Sequence, residues 1–197
     1  MIGKTLPDFI KVYDDVVDKE LCSKIIAKFE EDTELHEYHD REQRPTFTQL
    51  NITQYLAQEL EKGNLNDPWS EHHAVIQNAT AFAVRQYQKD LLINGEFPED
   101  YALEQIRIKR YVNNGKEQFK EHVDVGNYNS ARRFLVFFLY LNDVEDGGET
   151  SFPSLNLHIK PKCGSILVFP PLWMFPHEGR PPISGNKYIA GSYLHYV

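Results

Sequence analysis

Cysteine is scarce in this chain, with two residues in 197. Cys22 and Cys163 lie far apart in sequence and have no metal-ligand spacing, which excludes a disulfide framework and a Cys-based zinc module. They read as two ordinary thiols of a reducing compartment. A surplus of basic charge is also missing. Lys and Arg number 21 against 29 Asp and Glu, a formal net charge of -8. Broad contact with nucleic acid or an anionic membrane needs a basic surface, so neither is an expected partner. No apolar run approaches the ~20 residues of a membrane span. The opening MIGKTLPDFIKVYDD lacks the apolar stretch of a secretory leader, so the expectation is a cytoplasmic protein. Gly147-Gly148 has no Lys-Ser/Thr after it and reads as a tight turn, not a phosphate loop. Repeats and low-complexity tracts are absent.

Apolar residues are plentiful, at 41% of the chain, with 13% aromatic, enough to fill a buried core. The length suits one compact unit, divided as a helical support region over 1–102 and a core over 103–197. Asp18 is a candidate N-cap for a helix carrying Leu21, Cys22, Ile25, Ile26 and Phe29 on one stripe. A second helix is expected from about Ser70 to Leu92, with Val75, Ala79, Phe82 and Ala83 on one face. His36 to Phe47, polar and holding Pro45, reads as a loop or mobile flap, and Thr46 to Ile52 as a short strand. From Leu103 the period changes. Ile106 and Ile108 alternate with charged neighbours, and Arg133 to Leu141 (RFLVFFLYL) is the run of a strand buried on both faces. Leu155 to Ile159, Ser165 to Phe169 and Tyr188 to Tyr196 are further strands between Gly and Pro punctuation. The class is α+β with a mainly β core: a double-stranded β-helix, or jelly roll, with supporting N-terminal helices.

His122-Val123-Asp124 is the sharpest local feature. Residues i and i+2 of a strand leave the same face about 6.6 Å apart, close enough to converge on one ion. Alone, His-x-Asp is more often surface polarity. With His177, which follows a strand and the Pro-rich PPLWMFPHEG, it makes the two-His, one-carboxylate set of non-haem Fe(II) sites, which leaves coordination positions open on one side. A bidentate 2-oxo acid and O2 would fill those positions. Other polar clusters carry less. His36, His39 and Asp40 read as solvated, His72 and His73 cannot share a helix face, and His158 points outward from its strand. Trp69 and Trp173 read as packing residues, Trp173 being near enough to His177 to line a cleft.

Four segments, RYVNNGKEQFKEHVD, RFLVFFLYLNDVEDGGETSFP, KPKCGSILVFP and HEGRPPISGNKYIAGSYLH, give the last half of the chain its resemblance. It is similar to the catalytic domain of the prolyl 4-hydroxylase branch of the Fe(II)/2-oxoglutarate oxygenases. The resemblance implies His122, Asp124 and His177 as iron ligands. It implies Lys187 as partner of the distal carboxylate of 2-oxoglutarate, helped by the hydroxyls of Tyr140 and Thr150, with Tyr111 beside the co-substrate. Arg133, Tyr193 and His195 match positions near the substrate. Read without the resemblance, Lys187 is a solvated strand-edge lysine, Tyr140 a core residue and Arg133 a partner for nearby acids. Tyr193 stands where many relatives have Trp, and Phe119 where they often have Tyr. The implied reaction uses Fe(II), 2-oxoglutarate and O2, with ascorbate as reductant, on a prolyl residue of a polypeptide. The alternatives are the same chemistry on a free amino acid or other small molecule, and a non-catalytic or hydrolytic cupin-like metal-binding protein. Segments 36–47 and 125–131 are candidate lids.

Overall fold

The computed structural model describes residues 3–41 and 45–197. Its elements in chain order are β1 (Lys11–Tyr13), α1 (Lys19–Glu31), β2 (Glu37–His39), β3 (Phe47–Asn51), α2 (Ile52–Glu61), α3 (Trp69–Leu91), β4 (Tyr101–Leu103), β5 (Arg107–Tyr111), β6 (Phe119–His122), β7 (Arg133–Tyr140), β8 (Thr150–Phe152), β9 (Leu157–Ile159), β10 (Ile166–Phe169), β11 (His177–Gly179) and β12 (Lys187–Tyr196).

The strands form two antiparallel sheets. The larger runs β1-β10-β7-β12-β5-β3-β2, with β4 also on β12, and the smaller runs β6-β11-β8-β9. This is the expected double-stranded β-helix, with no closed barrel. The first half of the chain is not only helical, since β1, β2 and β3 all join the larger sheet. β2 lies inside the segment read as a flap, and residues 42–44 of that segment lie outside the described residues.

α1 starts where its chemistry dictates, with the Asp18 carboxylate accepting from the Glu20 N–H at 2.7 Å. Its stripe buries Cys22, Ile25 and Phe29 completely. Each large side chain so removed from water contributes ~2–3 kcal/mol before the ordering cost. α3 presents Ile76, Ala79, Ala83, Val84 and Tyr87 to the same layer, whereas Phe82, expected on that face, is 39% exposed. Trp69 is fully buried, its indole N–H on Asp32 at 2.8 Å, but Trp173, read as a packing residue, is 75% exposed.

Period-two alternation divides the larger sheet between two cores. Leu135, Phe137 and Leu139 of β7, with Ile108 of β5 and Ala190 of β12, face the helices. Val136 and Tyr140, with Tyr111 and Ile189, face the smaller sheet, where Phe152, Phe169 and Phe175 meet them. The second layer holds the candidate site. Gly147 and Gly148 both turn with φ +73°, as the turn reading requires. Cys22 and Cys163 are free, buried and adjacent, and burial first of all pushes the Cys22 thiol up to about 12.

Candidate active site

β6 and β11 are neighbours in the smaller sheet, and their register sets His122 directly opposite His177. The sequence reading put His122 and Asp124 on one strand. The strand stops at His122 and Asp124 sits in the following bend, yet the extended spacing still delivers both to one side. His122 Nε2 lies 3.4 Å from Asp124 Oδ1, and His177 Nε2 lies 3.5 Å from Asp124 Oδ2. One ligand atom from each residue falls within 4.8 Å of the others, the only such set of three or more among the described residues.

Hydrogen bonding fixes what these atoms can do. His122 Nδ1 donates to the Lys120 carbonyl at 2.8 Å and His177 Nδ1 to that of Phe175 at 3.1 Å. Both tautomers then leave an Nε2 lone pair facing inward. The Nε2 atoms of both histidines and Asp124 Oδ2 are buried without a hydrogen-bond partner. Three converging acceptors with no donor among them are costly unless a cation satisfies them. Two imidazoles and a carboxylate suit Fe(II) and similar divalent ions. The residues fit a metal.

Charge follows the same geometry. Burial lowers His177 to about 4, so it is neutral and able to ligate near neutral pH. Burial pushes Asp124 up, but His122, His177 and Tyr193 outweigh it and hold the carboxyl below its ordinary value. The Tyr193 hydroxyl donates to Asp124 Oδ1 at 2.8 Å, leaving Oδ2 for an ion. Phe119 stacks on the His122 ring at 3.7 Å between centroids.

Beside the trio lies a small cavity of ≈ 20 Å³, lined by His122, His177, Phe138, Thr150, Tyr111 and Lys187 among others. Lys187 begins β12, opposite Tyr111 of β5, and is 2% exposed. Its ammonium lies 5.6 Å from the ring centroids of both Tyr111 and Tyr140. Tyr140 donates its hydroxyl to Thr150 Oγ1 at 2.8 Å beside it. Burial depresses Lys187 to about 7, with Glu149 opposing and Lys109 reinforcing the shift. This is no solvated strand-edge lysine. A small, largely apolar cavity thus touches both imidazoles of the trio and a buried cation, the two ends that a short dicarboxylate with a chelating group would engage.

Outward from the trio opens a cleft of ≈ 680 Å³, walled by β5, β6 and β12. Arg133 reaches it because a β-bulge shifts the β7–β12 register between Leu194 and His195, turning Arg133 to the cleft side. Its guanidinium lies 3.9 Å from the Tyr193 ring centroid and donates to both Glu104 carboxylate oxygens, at 2.7 and 2.8 Å. Arg133 thus both pairs with an acid and lines the cleft. His195 lies behind it, 9% exposed, with Nδ1 3.6 Å from Glu104, and is not part of the cleft wall. Among the residues that escaped the sequence reading are Lys109, which lines the cleft, and Glu104, which holds Arg133 from behind the wall. Lys109 shares the period-two face of Tyr111 and could have been found by extending that alternation inward. Among the described residues the other histidines fall outside any such trio. His36 stacks on Phe29 at 4.0 Å, His73 meets Thr53 Oγ1 at 2.9 Å, and His158 meets Ser151 Oγ at 3.0 Å.

Comparison with known proteins agrees with this geometry. Residues 106–195 match the family model described as the 2OG-Fe(II) oxygenase superfamily. A protein of Acanthamoeba polyphaga mimivirus that carries a provisional prolyl 4-hydroxylase name is 36% identical over 111 residues, 47% of this chain and 45% of that protein. The chain spans less than half the length of such relatives. The viral collagen prolyl hydroxylase of Paramecium bursaria Chlorella virus-1, in its 2-oxoglutarate complex, superposes with a TM-score of 0.69 at 21% identity, covering 99% of this chain and 98% of that one. A Trichoplax adhaerens prolyl hydroxylase in complex with a hypoxia inducible factor peptide fragment has a TM-score of 0.69 at 14% identity, covering 95% of this chain and 84% of that one. Residues 106–195 are thus similar to the 2OG-Fe(II) oxygenase superfamily in sequence, and the chain over nearly its whole length shares the fold of solved prolyl hydroxylases.

Proposed function

We propose that this protein is an Fe(II)- and 2-oxoglutarate-dependent dioxygenase that hydroxylates a prolyl residue within a polypeptide. The observation that carries the proposal is the trio of partnerless acceptors, two of which share a small cavity with the buried Lys187. Fe(II), when bound, supplies the redox chemistry by which O2 and 2-oxoglutarate give succinate and CO2 while a substrate C–H becomes C–OH.

The residues divide the labour. His122, Asp124 and His177 hold the ion, and Tyr193 orients the carboxylate. Lys187 neutralises the distal carboxylate of 2-oxoglutarate, and Thr150, whose Oγ1 accepts from the Tyr140 hydroxyl, turns its own O–H to the same group. Tyr111, Phe138 and Ile189 keep water from the cavity. Arg133, held by Glu104 and stacked on Tyr193, forms a rigid part of the cleft wall for the substrate chain. His195, beside Glu104, supports that arrangement from behind the wall.

The breadth of the outer cleft favours a polypeptide over a free amino acid, which would suit a closed site. A metal-binding module without catalysis would have no use for a buried lysine in that cavity. Ascorbate as reductant and a cytoplasmic setting follow from the same reading, the latter suited to two free thiols. The test is incubation with Fe(II), 2-oxoglutarate and either a proline-containing peptide library or free proline, followed by mass spectrometry. Gain of one oxygen on peptides supports the proposal. Gain on free proline alone, or succinate release without an oxidised product, refutes the polypeptide substrate.

A further inference from the structure

On a chain with a net charge of -8, the outer cleft is lined by Arg107, Lys109, Lys120 and Arg133 against Glu121 and Asp124. Asp124 belongs to the metal trio, and Arg133 is already neutralised by Glu104. The guanidinium of Arg107 is bonded to Gln105, its Oε1 at 2.8 Å. Lys109 differs from these. Among the described residues no carboxylate lies within ion-pair distance of its ammonium, which instead sits 4.8 Å from the Phe47 ring centroid and 5.6 Å from that of Phe119.

Its place in the fold is specific. Lys109 lies opposite Ile189 on β12, one outward step from the Tyr111–Lys187 pair, and lines both the small cavity and the outer cleft. The Phe119 ring against which it rests is the one stacked on His122. A side chain oxidised at the metal would therefore have its chain neighbours within reach of this ammonium, since successive residues advance about 3.3 Å in an extended peptide.

Resting on the prolyl hydroxylase reading above, we infer that Lys109 is a specificity-determining residue that pairs with an Asp or Glu of the substrate, adjacent to the residue that is hydroxylated. The ammonium rests against two aromatic rings with no carboxylate in ion-pair reach, Asp124 acting on it only from farther off, and an incoming carboxylate supplies a direct charge-assisted hydrogen bond. Burial also lowers Lys109 to about 8, with Asp124 opposing the shift and Arg107 and Arg133 reinforcing it.

The experiment is calorimetric titration of the Mn(II)- and 2-oxoglutarate-loaded protein with blocked Gly/Ala peptides carrying one central proline flanked by Asp, Asn or Lys. Turnover of the same peptides is followed in parallel with Fe(II). The wild type is expected to bind the Asp peptide about tenfold or more tightly than the Asn peptide. Lys109→Gln should erase that preference, and Lys109→Glu should shift it to the Lys peptide, an inversion that a merely structural role would not produce. Equal affinity for the three peptides, a preference that survives Lys109→Gln, or no binding of any peptide overturns the inference. So does a Lys109→Gln protein that loses 2-oxoglutarate affinity and keeps its peptide preference. The two proposals fail separately. A charge preference without oxygen gain leaves Lys109 as the reader and removes prolyl hydroxylation, whereas oxygen gain without preference does the reverse.

Discussion

Replacing Lys187 by Met should stabilise the ligand-free protein while destroying its affinity for 2-oxoglutarate. Lys187 is 2% exposed and burial holds it at about 7, against an ordinary value of 10.5. At ~1.4 kcal/mol per unit, charging it inside the fold costs about 4–5 kcal/mol at low pH. At about pH 7 the cost is still ~4 kcal/mol, trimmed toward ~2–4 by local relaxation and water entry. The sign follows from proton counting. Between about pH 7 and 10.5 the unfolded chain holds this proton more firmly than the folded one, so stability rises with pH across that window. By about pH 9 the penalty falls to ~2 kcal/mol. Methionine has a similar length and no charge, so it fills the space without the penalty. Urea unfolding of the EDTA-treated proteins at about pH 7 and pH 9 measures both numbers. Lys187→Met should exceed wild type by ~2–4 kcal/mol at the lower pH and by roughly half that at the higher. Adding Mn(II) and 2-oxoglutarate should reverse the order, because only wild type gains binding energy from the co-substrate. A variant no more stable than wild type at pH 7, or one that binds 2-oxoglutarate equally well, would refute the assignment of Lys187 as an unpaired buried anchor.

Other perturbations give sharp expectations. His177→Ala removes one of three ligands and should weaken Mn(II) binding by at least ~100-fold, beyond the 10–100-fold usual for an outer partner, as read by titration calorimetry. Tyr193→Phe deletes the 2.8 Å hydrogen bond to Asp124 and should cost ~10–100-fold in metal affinity with the fold unchanged, checked by the same titration and by circular dichroism. Gly147→Ala places a methyl 2.5 Å from the Pro181 carbonyl oxygen at φ +73°, and a loss of ~1–3 kcal/mol should appear in urea unfolding.

What could be read in the sequence depended on whether a signal was local. The caps and stripe of α1 are local chemistry, and so is the apolar run of β7. The i, i+2 geometry of His122 and Asp124 survives even though the strand ends between them. α2 was missed because Ile52 continues the alternation of β3, although Asn51 carries a cap signal, its side chain accepting from the Gln54 N–H at 3.1 Å. β1, β8 and β11 have three residues each, too few to show a period, and exist because segments remote in sequence pair with them. Phe82 sits at helical spacing for the core, but the spacing does not reveal which side of the stripe the sheet covers. Lys109 resembled any outward charge flanking a buried isoleucine. Only the closure of Phe47 and Phe119 over β5 makes it internal, and that is a property of chain segments remote in sequence.

The facing of His122 and His177 across adjacent strands has a mechanical consequence. β6 is a border strand of its small sheet, held there by a short, bulged pairing with β11. An ion gripped by one imidazole from each strand is a rivet through that seam, and the carboxylate beyond the end of β6 locks it from the side. Loading the metal would therefore stiffen the whole rim from β6 to β11, and amide protons of Phe119–His122 should exchange with deuterium far more slowly once it is in place.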